Sequence, residues 1–223
     1  MVEISTSILS IKKEDIIKKI YELEIAHTDF FHIDVMDGKF VENDTSAIML
    51  EYSEYIKQIT NIPLDVHLMV KDVYSYVNSY LSLNPNIITF HIEAVESAHQ
   101  VLELINYIKE NGVKVGIALN PETEIEKIIP FLPYIHQVLI MSVKPGKGGQ
   151  TFIESTFNKV QVMQEAIKKN KLEIDISVDG GINLDNIEKL KNLKINIAVA
   201  GTSIINSKDY KETIKKLKKE NVL

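Results

Sequence analysis

The fold of this chain is decided by the stretch Phe31-His32-Ile33-Asp34-Val35-Met36-Asp37-Gly38. Apolar residues alternate here with His32, Asp34 and Met36, the spacing that puts every second side chain of a β-strand on one face. The strand is predicted to end at the Asp-Gly pair, a common turn sequence. An imidazole and a carboxylate therefore share a face near the carboxyl end of a strand, where ligands bind in sheets with helical crossovers. The alternative is a half-buried strand whose polar residues face solvent.

Strand-like and helix-like runs alternate from one end of the sequence to the other, which predicts a parallel sheet with helical crossovers. Eight such pairs without a linker predict an α/β fold with a single (β/α)8 TIM barrel domain over residues 1–223. The competing fold is a doubly wound open sheet, but the first strand–helix turn lacks its glycine-rich fingerprint. The predicted strands cover residues 2–9, 30–36, 64–70, 87–92, 113–119, 137–143, 173–178 and 195–200. The predicted helices cover residues 13–25, 47–59, 73–83, 97–111, 123–129, 155–169, 184–193 and 209–219, with Thr123 and Glu126 in capping-box spacing.

The composition excludes several classes of function. The chain has 223 residues, is 45% hydrophobic and carries a net charge of −6, so a general nucleic-acid surface is not expected. It contains no cysteine, which excludes disulfides and thiolate chemistry. No apolar run reaches the roughly 18 residues of a membrane-spanning helix, and the N-terminus lacks the features of a signal peptide. We expect a cytoplasmic protein with no membrane partner.

Two histidines and two aspartates fall at predicted strand ends and make a candidate set of four metal ligands. His32 and Asp34 lie on the second strand, His67 on the third and Asp179 at the end of the seventh. Imidazole with carboxylate suits one divalent Zn, Fe, Mn or Co ion better than Ca or Mg, which prefer oxygen ligands. The alternative for His67 taken alone is a hydrogen-bonded histidine of the core.

Glycines follow the sixth, seventh and eighth strands and predict a phosphate site. Glycine lets backbone N–H groups approach an anion, and barrels often bind phosphate with these loops. The spacing is not that of a nucleotide-binding P-loop, so a nucleoside triphosphate is not expected. The alternative is that these glycines only make tight turns. They are Gly146, Gly148, Gly149, Gly180, Gly181 and Gly201.

A metal, a phosphate site and two aspartates together indicate proton abstraction next to the carbonyl of a sugar phosphate. One aspartate would remove the proton and the other would return it, on the order of 10²–10⁴ in rate for each step. Three methionines at strand ends, Met36, Met69 and Met141, suit such a site because a thioether is polarizable and donates no proton. Their alternative role is to fill the core.

At several places the sequence resembles the ribulose-phosphate 3-epimerase family. The matching motifs occur in the family's order over nearly the whole chain and together are highly specific. They are Ser7-Ile8-Leu9, His32 to Val41, Asp65 to Val70, Asn120-Pro121-Glu122-Thr123, Met141 to Gln150, and Asp179-Gly180-Gly181-Ile182.

The resemblance implies a (β/α)8 barrel that interconverts D-ribulose 5-phosphate and D-xylulose 5-phosphate. It implies that Asp34 is the proton acceptor, that Asp179 is the proton donor, and that both bind the metal with His32 and His67. It places Ser7 and His67 against the sugar, the three methionines above the intermediate, and a mobile lid after the sixth strand. The phosphate end would be lined by Gly146, Lys147, Gly148, Gly149, Gly180, Gly181, Gly201 and Thr202.

Some positions depart from the family pattern. Lys147 replaces the usual phenylalanine of the lid, and it is interpreted either as a solvated lysine or as added charge near the phosphate. Thr202-Ser203 also resembles the allulose-6-phosphate 3-epimerase branch, so a six-carbon substrate is an alternative. A further alternative, of a different class, is a non-catalytic barrel that binds a sugar phosphate. We also expect a homo-oligomer formed through apolar residues of the outer helices, which the sequence does not locate.

Overall fold

The computed structural model describes residues 2–218 and contains a closed barrel of eight parallel strands. Each strand pairs with the next along the chain, and β1 closes the barrel against β8 through registers such as Ile4 with Ala198. The predicted TIM barrel is confirmed. The strands are β1 Glu3–Ser7, β2 Phe30–Met36, β3 Leu64–Met69, β4 Ile87–His91, β5 Lys114–Leu119, β6 Gln137–Met141, β7 Asp175–Asp179 and β8 Ile197–Ala200.

Helices cover the outside of the barrel between successive strands. None of the helices within residues 2–218 is long and apolar enough to cross a bilayer. The helices are α1 Ile16–Ile25, α2 Ser46–Ile59, α3 Val73–Leu81, α4 Ala98–Glu110, α5 Thr156–Lys169, α6 Ile187–Asn192, α7 Thr202–Ile205 and α8 Tyr210–Lys218.

The alternation seen in the sequence of β2 separates the two layers of the structure. Phe31, Ile33 and Val35 are fully buried in the apolar layer between strands and helices. His32 and Asp34, one residue out of phase, therefore point into the barrel, because strand side chains alternate between faces. Burial of apolar area stabilises the outer layer at roughly 25 cal/mol per Å², and this leaves the inner positions free to carry polar groups.

The inside of the barrel is divided into a polar and an apolar half. Ala118, Leu139, Met141 and Val199 form an apolar cluster of their own with Val143. The polar residues come mostly from the opposite side and are almost completely buried. They include Ser5, Ser7, His32, Asp34, Asp65, His67, Thr89 and His91.

The fifth connection differs from the predicted short helix over residues 123–129. Two 3₁₀ segments, Ile125–Lys127 and Ile129–Tyr134, take its place. Pro133 lies inside the second segment and has no N–H to donate to the carbonyl four residues earlier, as a continuous α-helix would require. The predicted cap was also wrong. The Thr123 amide donates to the carbonyl of Asn120 at 3.1 Å, in a turn ahead of the first segment, and the Thr123 side chain caps no helix.

Other differences lie at element ends and in one added helix. β6 ends at Met141 rather than Val143, and α6 begins at Ile187 rather than Leu184. The short helix α7 follows Gly201 directly and was not predicted, since four residues are too few to show a helical period. The predicted last helix extends to Lys219, which lies outside the described residues.

Gly116 is the inward residue of β5 that faces Thr89 on β4, and we predict that it tolerates no side chain. A Cβ at Gly116 would lie 2.3 Å from Thr89 Oγ1, so Gly116→Ala would force Thr89 to move in a packed interior. We expect a loss of about 1–3 kcal/mol in the free energy of unfolding, measured by urea denaturation.

Thr89→Ala supplies the matched control, because it removes Oγ1 and Cγ2, two of the Thr89 atoms that a Cβ at Gly116 would meet. The double variant should therefore be less destabilised than the sum of the two single variants. Strict additivity would contradict the steric explanation.

Candidate active site

Four side chains from three strands meet inside the barrel near the carboxyl ends of β2, β3 and β7. Their candidate ligand atoms all lie within 4.8 Å of one another, although His67 and Asp179 are far apart in sequence. The register of β2 and β3 explains part of this, because Asp34 is paired with His67. The structure thus brings together the complete set predicted from the sequence, namely His32, Asp34, His67 and Asp179.

The spacing of donor atoms in this cluster fits a divalent cation. His32 Nε2 lies 3.4 Å from Asp34 Oδ1 and 3.8 Å from Asp179 Oδ2, and His67 Nδ1 lies 3.4 and 3.6 Å from the same two atoms. Nitrogen and oxygen ligands bind a divalent transition metal at about 2.0–2.2 Å, so neighbouring donors that share one ion lie roughly 3–3.5 Å apart. Both ring nitrogens are buried and make no hydrogen bond within residues 2–218. The orphaned nitrogens and these spacings are those that a metal ion would satisfy.

The electrostatics of the cluster favour a positive charge among its carboxylates. Burial alone would lower the pKa of His32, but Asp65 and Asp34 raise that pKa well above its usual value. Burial would likewise raise the pKa of Asp34, but His32 and His67 hold it below its usual range. A proton on His32 is one way to supply this positive charge. A divalent cation is another, and it requires the imidazole to be neutral.

The pKa of Asp179 is shifted in the opposite direction from that of Asp34. Burial and the neighbouring Asp34 carboxylate raise the pKa of Asp179 to about 7, despite the opposing effect of His32. The two aspartates therefore have pKa values displaced in opposite directions from a similar starting value. Such a pair is typical of one carboxylate that accepts a proton and another that donates one.

Two further hydrogen bonds orient the β2 residues. His32 Nδ1 lies 2.8 Å from Asp65 Oδ2, which also accepts from Ser5 Oγ at 2.7 Å. The carboxylate thereby favours a proton on Nδ1 and leaves the Nε2 lone pair directed at the cluster. Ser7 Oγ donates to Asp34 Oδ2 at 2.7 Å, so the predicted sugar-contacting serine also fixes the carboxylate.

His67 is held from its other side by residues of β4 and the segment after it. His67 Nε2 lies 2.9 Å from His91 Nε2, and His91 Nδ1 lies 3.1 Å from Glu93 Oε2. Burial lowers the pKa of His91 to about 4, although Glu93 acts in the opposite direction. The imidazole of His91 is therefore neutral at physiological pH.

A cavity opens above the cluster at the mouth of the barrel. Ser7, Asp34 and Asp179 line its floor, and Met36, Met69 and Met141 line its walls. Met36 and Met69 are register partners on adjacent strands, and Met141 is the partner of Asp179. The thioethers therefore lie directly beside the carboxylates.

The predicted phosphate residues line the same cavity from its other end. They come from the loops after β6, β7 and β8, as glycine spacing had indicated. Gly181 has a φ of +65°, and a Cβ there would lie 2.6 Å from the backbone nitrogen of Phe152. The glycines thus allow the loops after β6 and β7 to pack backbone against backbone. The set is Gly146, Lys147, Gly148, Gly149, Gly180, Gly181, Gly201 and Thr202.

The segment Lys144–Gln150 crosses the mouth of the barrel and is called the lid here. Asn43 Nδ2 donates to the carbonyl of Gly146 at 2.7 Å and ties the lid to the loop after β2. Gln150 Nε2 donates to the carbonyls of Lys144 and Lys147 at 2.7 and 2.8 Å. Lys147 is exposed on the lid and also lines the cavity.

His67 is the one predicted sugar-contacting residue that does not line the cavity. It is fully buried below the floor, between the rings of His32 and His91. Sequence reasoning also missed the supporting residues Asp65, His91 and Glu93. Asp65 and His91 could have been found from the same inward strand period that identified His67. Glu93 lies in a 3₁₀ turn, Ile92–Ala94, where no period applies.

Comparison with known proteins gives one family and several relatives. The model of the Ribulose-phosphate 3 epimerase family matches residues 3–205. A ribulose-phosphate 3-epimerase of Helicobacter pylori is 40% identical over 193 residues, which are 86% of this chain and 87% of that protein. A ribulose-phosphate 3-epimerase of Bacillus subtilis is 35% identical over 219 residues, 98% of this chain and 99% of that protein.

Some solved structures share the fold of this chain although their sequences are very different. The 3-hexulose-6-phosphate synthase of Salmonella typhimurium superposes with a TM-score of 0.70, covering 97% of this chain and 96% of that one. The two sequences are 13% identical, so this likeness concerns the barrel fold alone.

We predict that the affinity of the cluster for a divalent cation rises with pH towards neutrality. Protons compete with the cation at Asp179, whose pKa is raised to about 7, and at His32, whose pKa is also raised. Below these pKa values, affinity should fall by up to about tenfold per pH unit for each displaced proton. Zn²⁺ affinity from chelator competition at pH 6, 7 and 8 measures this. Equal affinity at all three values would contradict the prediction.

Proposed function

The chain belongs to the ribulose-phosphate 3-epimerase family, and from this premise we propose the roles of its residues in the isomerase reaction. Its substrate is a sugar phosphate, and inversion occurs at C3 of a ketose. We propose that Asp34 and Asp179 are the acid and base on opposite sides of that carbon. The observation that carries this proposal is the meeting of a buried and a half-buried carboxylate with oppositely displaced pKa values at the floor of one cavity.

We propose that His32, Asp34, His67 and Asp179 hold one divalent cation, Zn, Fe, Mn or Co. The donor spacings and the orphaned ring nitrogens of the two histidines support this assignment. When bound, such an ion polarises the substrate carbonyl and stabilises negative charge on its oxygen. Asp65 and Ser7 keep the ligands in place, since they hydrogen-bond the far sides of His32 and Asp34.

Starting from D-ribulose 5-phosphate, Asp34 removes the C3 proton and Asp179 returns one to the opposite face. The C3–H electron pair becomes the double bond of a planar enediolate, so addition from the other side inverts the carbon. In the reverse direction the two residues exchange roles. The low pKa of Asp34 and the pKa of about 7 of Asp179 match this assignment, because one is ready to accept and the other to donate.

The methionines and the lid keep the intermediate away from water. Met36, Met69 and Met141 present sulfur and methyl groups, which donate no proton to a carbanionic carbon. The lid covers the cavity, and exclusion of water strengthens the electrostatic interactions inside it. Ser7 is proposed to contact the sugar directly. His67, which is fully buried and does not line the cavity, is proposed to act on the sugar only through the cation that it helps to hold.

We propose that the loops after β6, β7 and β8 bind the phosphate. The glycines there expose backbone N–H groups to an anion, and α7 begins next to them at Thr202. The ammonium group of Lys147 supplies positive charge on the same side of the cavity. The expected homo-oligomer stays a prediction, which sedimentation equilibrium of the full chain would test; a monomer at all concentrations would contradict it.

We predict that replacing each aspartate separates exchange at C3 from inversion. With D-ribulose 5-phosphate in deuterated water, Asp179→Asn should incorporate deuterium at C3 without forming the epimer, because Asp34 still removes and returns the proton on one side. Asp34→Asn should do the same only with D-xylulose 5-phosphate. Both variants should lose epimerisation by at least about 10²-fold. NMR of the recovered sugars measures exchange and inversion together.

Asp175→Asn is the matched control, since Asp175 lies on the same strand as Asp179 but at the other end of the barrel. It should epimerise normally. Metal content is measured for each variant, so that loss of the cation is told apart from loss of the acid or base. Normal epimerisation by either active-site variant, or a reversed pattern of exchange, would contradict the assigned roles. A non-catalytic sugar-phosphate-binding barrel would show no exchange in the unaltered chain.

We predict that the pentulose phosphate is the better substrate. D-allulose 6-phosphate is the alternative, favoured by Thr202-Ser203 after β8 and by the position of Thr202 in the cavity wall. Side-by-side measurement of kcat/KM should favour D-ribulose 5-phosphate by at least about tenfold, because a six-carbon chain must fit under the same lid. A higher value for the hexulose phosphate would assign the chain to the other branch.

A further inference from the structure

A buried hydrogen-bonded row runs from the cluster to the outer rim of the barrel and is not used in the reaction above. It contains His67, His91 and Glu93, followed by the backbone N–H of Asn120. The His91 ring is fully buried, and the side chain of Glu93 is 17% exposed. Phe40 covers the outer side of His91, with ring centroids 5.0 Å apart.

With both imidazoles neutral, one arrangement of hydrogens in the row makes every contact favourable. The contact between His67 Nε2 and His91 Nε2, at 2.9 Å, needs one hydrogen and one lone pair. If His91 donated, its Nδ1 would turn a lone pair towards the Glu93 carboxylate 3.1 Å away. If His67 donates, His91 Nδ1 instead carries a hydrogen that Glu93 accepts.

We propose that Glu93, acting through His91, is a positioning residue that fixes the tautomer of His67 and keeps its Nδ1 lone pair free for the divalent cation. This inference rests on the metal site of the proposed function. Asp65 orients His32 through one direct hydrogen bond, whereas Glu93 orients His67 through two successive hydrogen bonds that pass through His91.

Glu93 is itself held in the orientation that this role requires. Its Oε1 accepts from the backbone N–H of Asn120 at 2.8 Å, and Oε2 faces His91. The hydroxyl of Thr123 also donates to this carboxylate. Lys159 of α5 fixes the loop that supplies this N–H. Its Nζ donates to the carbonyls of Asn120, Pro121 and Thr123 at 3.0, 2.6 and 2.8 Å. Both oxygens of Glu93 therefore face donors whose positions are set by the fold.

Glu93→Gln is the critical variant, because it keeps the shape of the side chain while replacing one acceptor oxygen by an amino group. That group must face either His91 Nδ1 or the N–H of Asn120. In the first case His91 changes its tautomer, and it then presents a hydrogen to His67 Nε2. His67 is thereby driven to carry its proton on Nδ1, which removes a metal ligand. In the second case two donors face each other at Asn120.

The experiment uses the full chain loaded with Zn²⁺ and labelled with ¹⁵N in its histidines. Two-bond ¹H–¹⁵N spectra of the unaltered chain should show a hydrogen on His91 Nδ1 and on His67 Nε2. Glu93→Gln should alter the His91 pattern and raise the Kd for Zn²⁺ by about 10–100-fold, measured by chelator competition. Glu96→Gln, the same change at an exposed neighbour, should leave both unchanged.

The outcomes separate this inference from the proposed function. A Glu93→Gln chain with the tautomers and the Zn²⁺ affinity of the unaltered chain overturns the positioning role, while the metal site stands. An unaltered chain whose His91 carries its hydrogen on Nε2 also overturns it, even where the variant does not fold. Failure of the unaltered chain to bind Zn²⁺, Co²⁺, Mn²⁺ or Fe²⁺ would overturn the metal site itself.

Discussion

The interior of this barrel depends on balancing three buried carboxylates. Asp34, Asp65 and Asp179 lie close together with little contact with water, and an unpaired buried charge costs several kcal/mol. The neighbouring imidazoles and hydroxyls reduce that cost, and the raised pKa of His32 reflects how strongly these groups favour a cation. In the proposed function, a cation held by these groups also stabilises negative charge on the substrate. Binding and chemistry thus have a common electrostatic origin.

The barrel can accommodate these buried charges because the residues that stabilise the fold and the polar residues of the interior lie on opposite faces of the strands. The outward faces of the strands and the inward faces of the helices form a continuous apolar layer, which does not include the four residues of the cluster. The polar residues occupy the inward positions that remain, at registers set by parallel pairing. His32 is level with Asp65 and Asp34 with His67, so the spacing of the cluster follows from strand register rather than from flexible loops.

The sequence predicted the barrel and the four-residue cluster because both follow from local periods. Alternation of apolar and polar residues in β2 and β3 was enough to identify inward side chains, and carboxyl strand ends of a parallel barrel converge. The fifth connection was predicted as a helix from the capping-box spacing of Thr123 and Glu126, whereas it forms two 3₁₀ segments, the second with Pro133 inside it. The link from His67 to Glu93 could not be predicted in the same way. It depends on distances across two strands and on a loop that Lys159 of a later helix holds in place.

The side chain of Gln150 has a consequence for how the cavity opens. Its Nε2 donates to the carbonyls of Lys144 and Lys147, so the lid contains two internal hydrogen bonds that close it into a small ring. These two hydrogen bonds restrict the conformations that the segment can adopt without any contact from outside it. The hydrogen bond from Asn43 Nδ2 to the carbonyl of Gly146 joins the segment to the loop after β2. Any movement of the lid away from that loop must therefore break this hydrogen bond, whereas the two bonds made by Gln150 can persist.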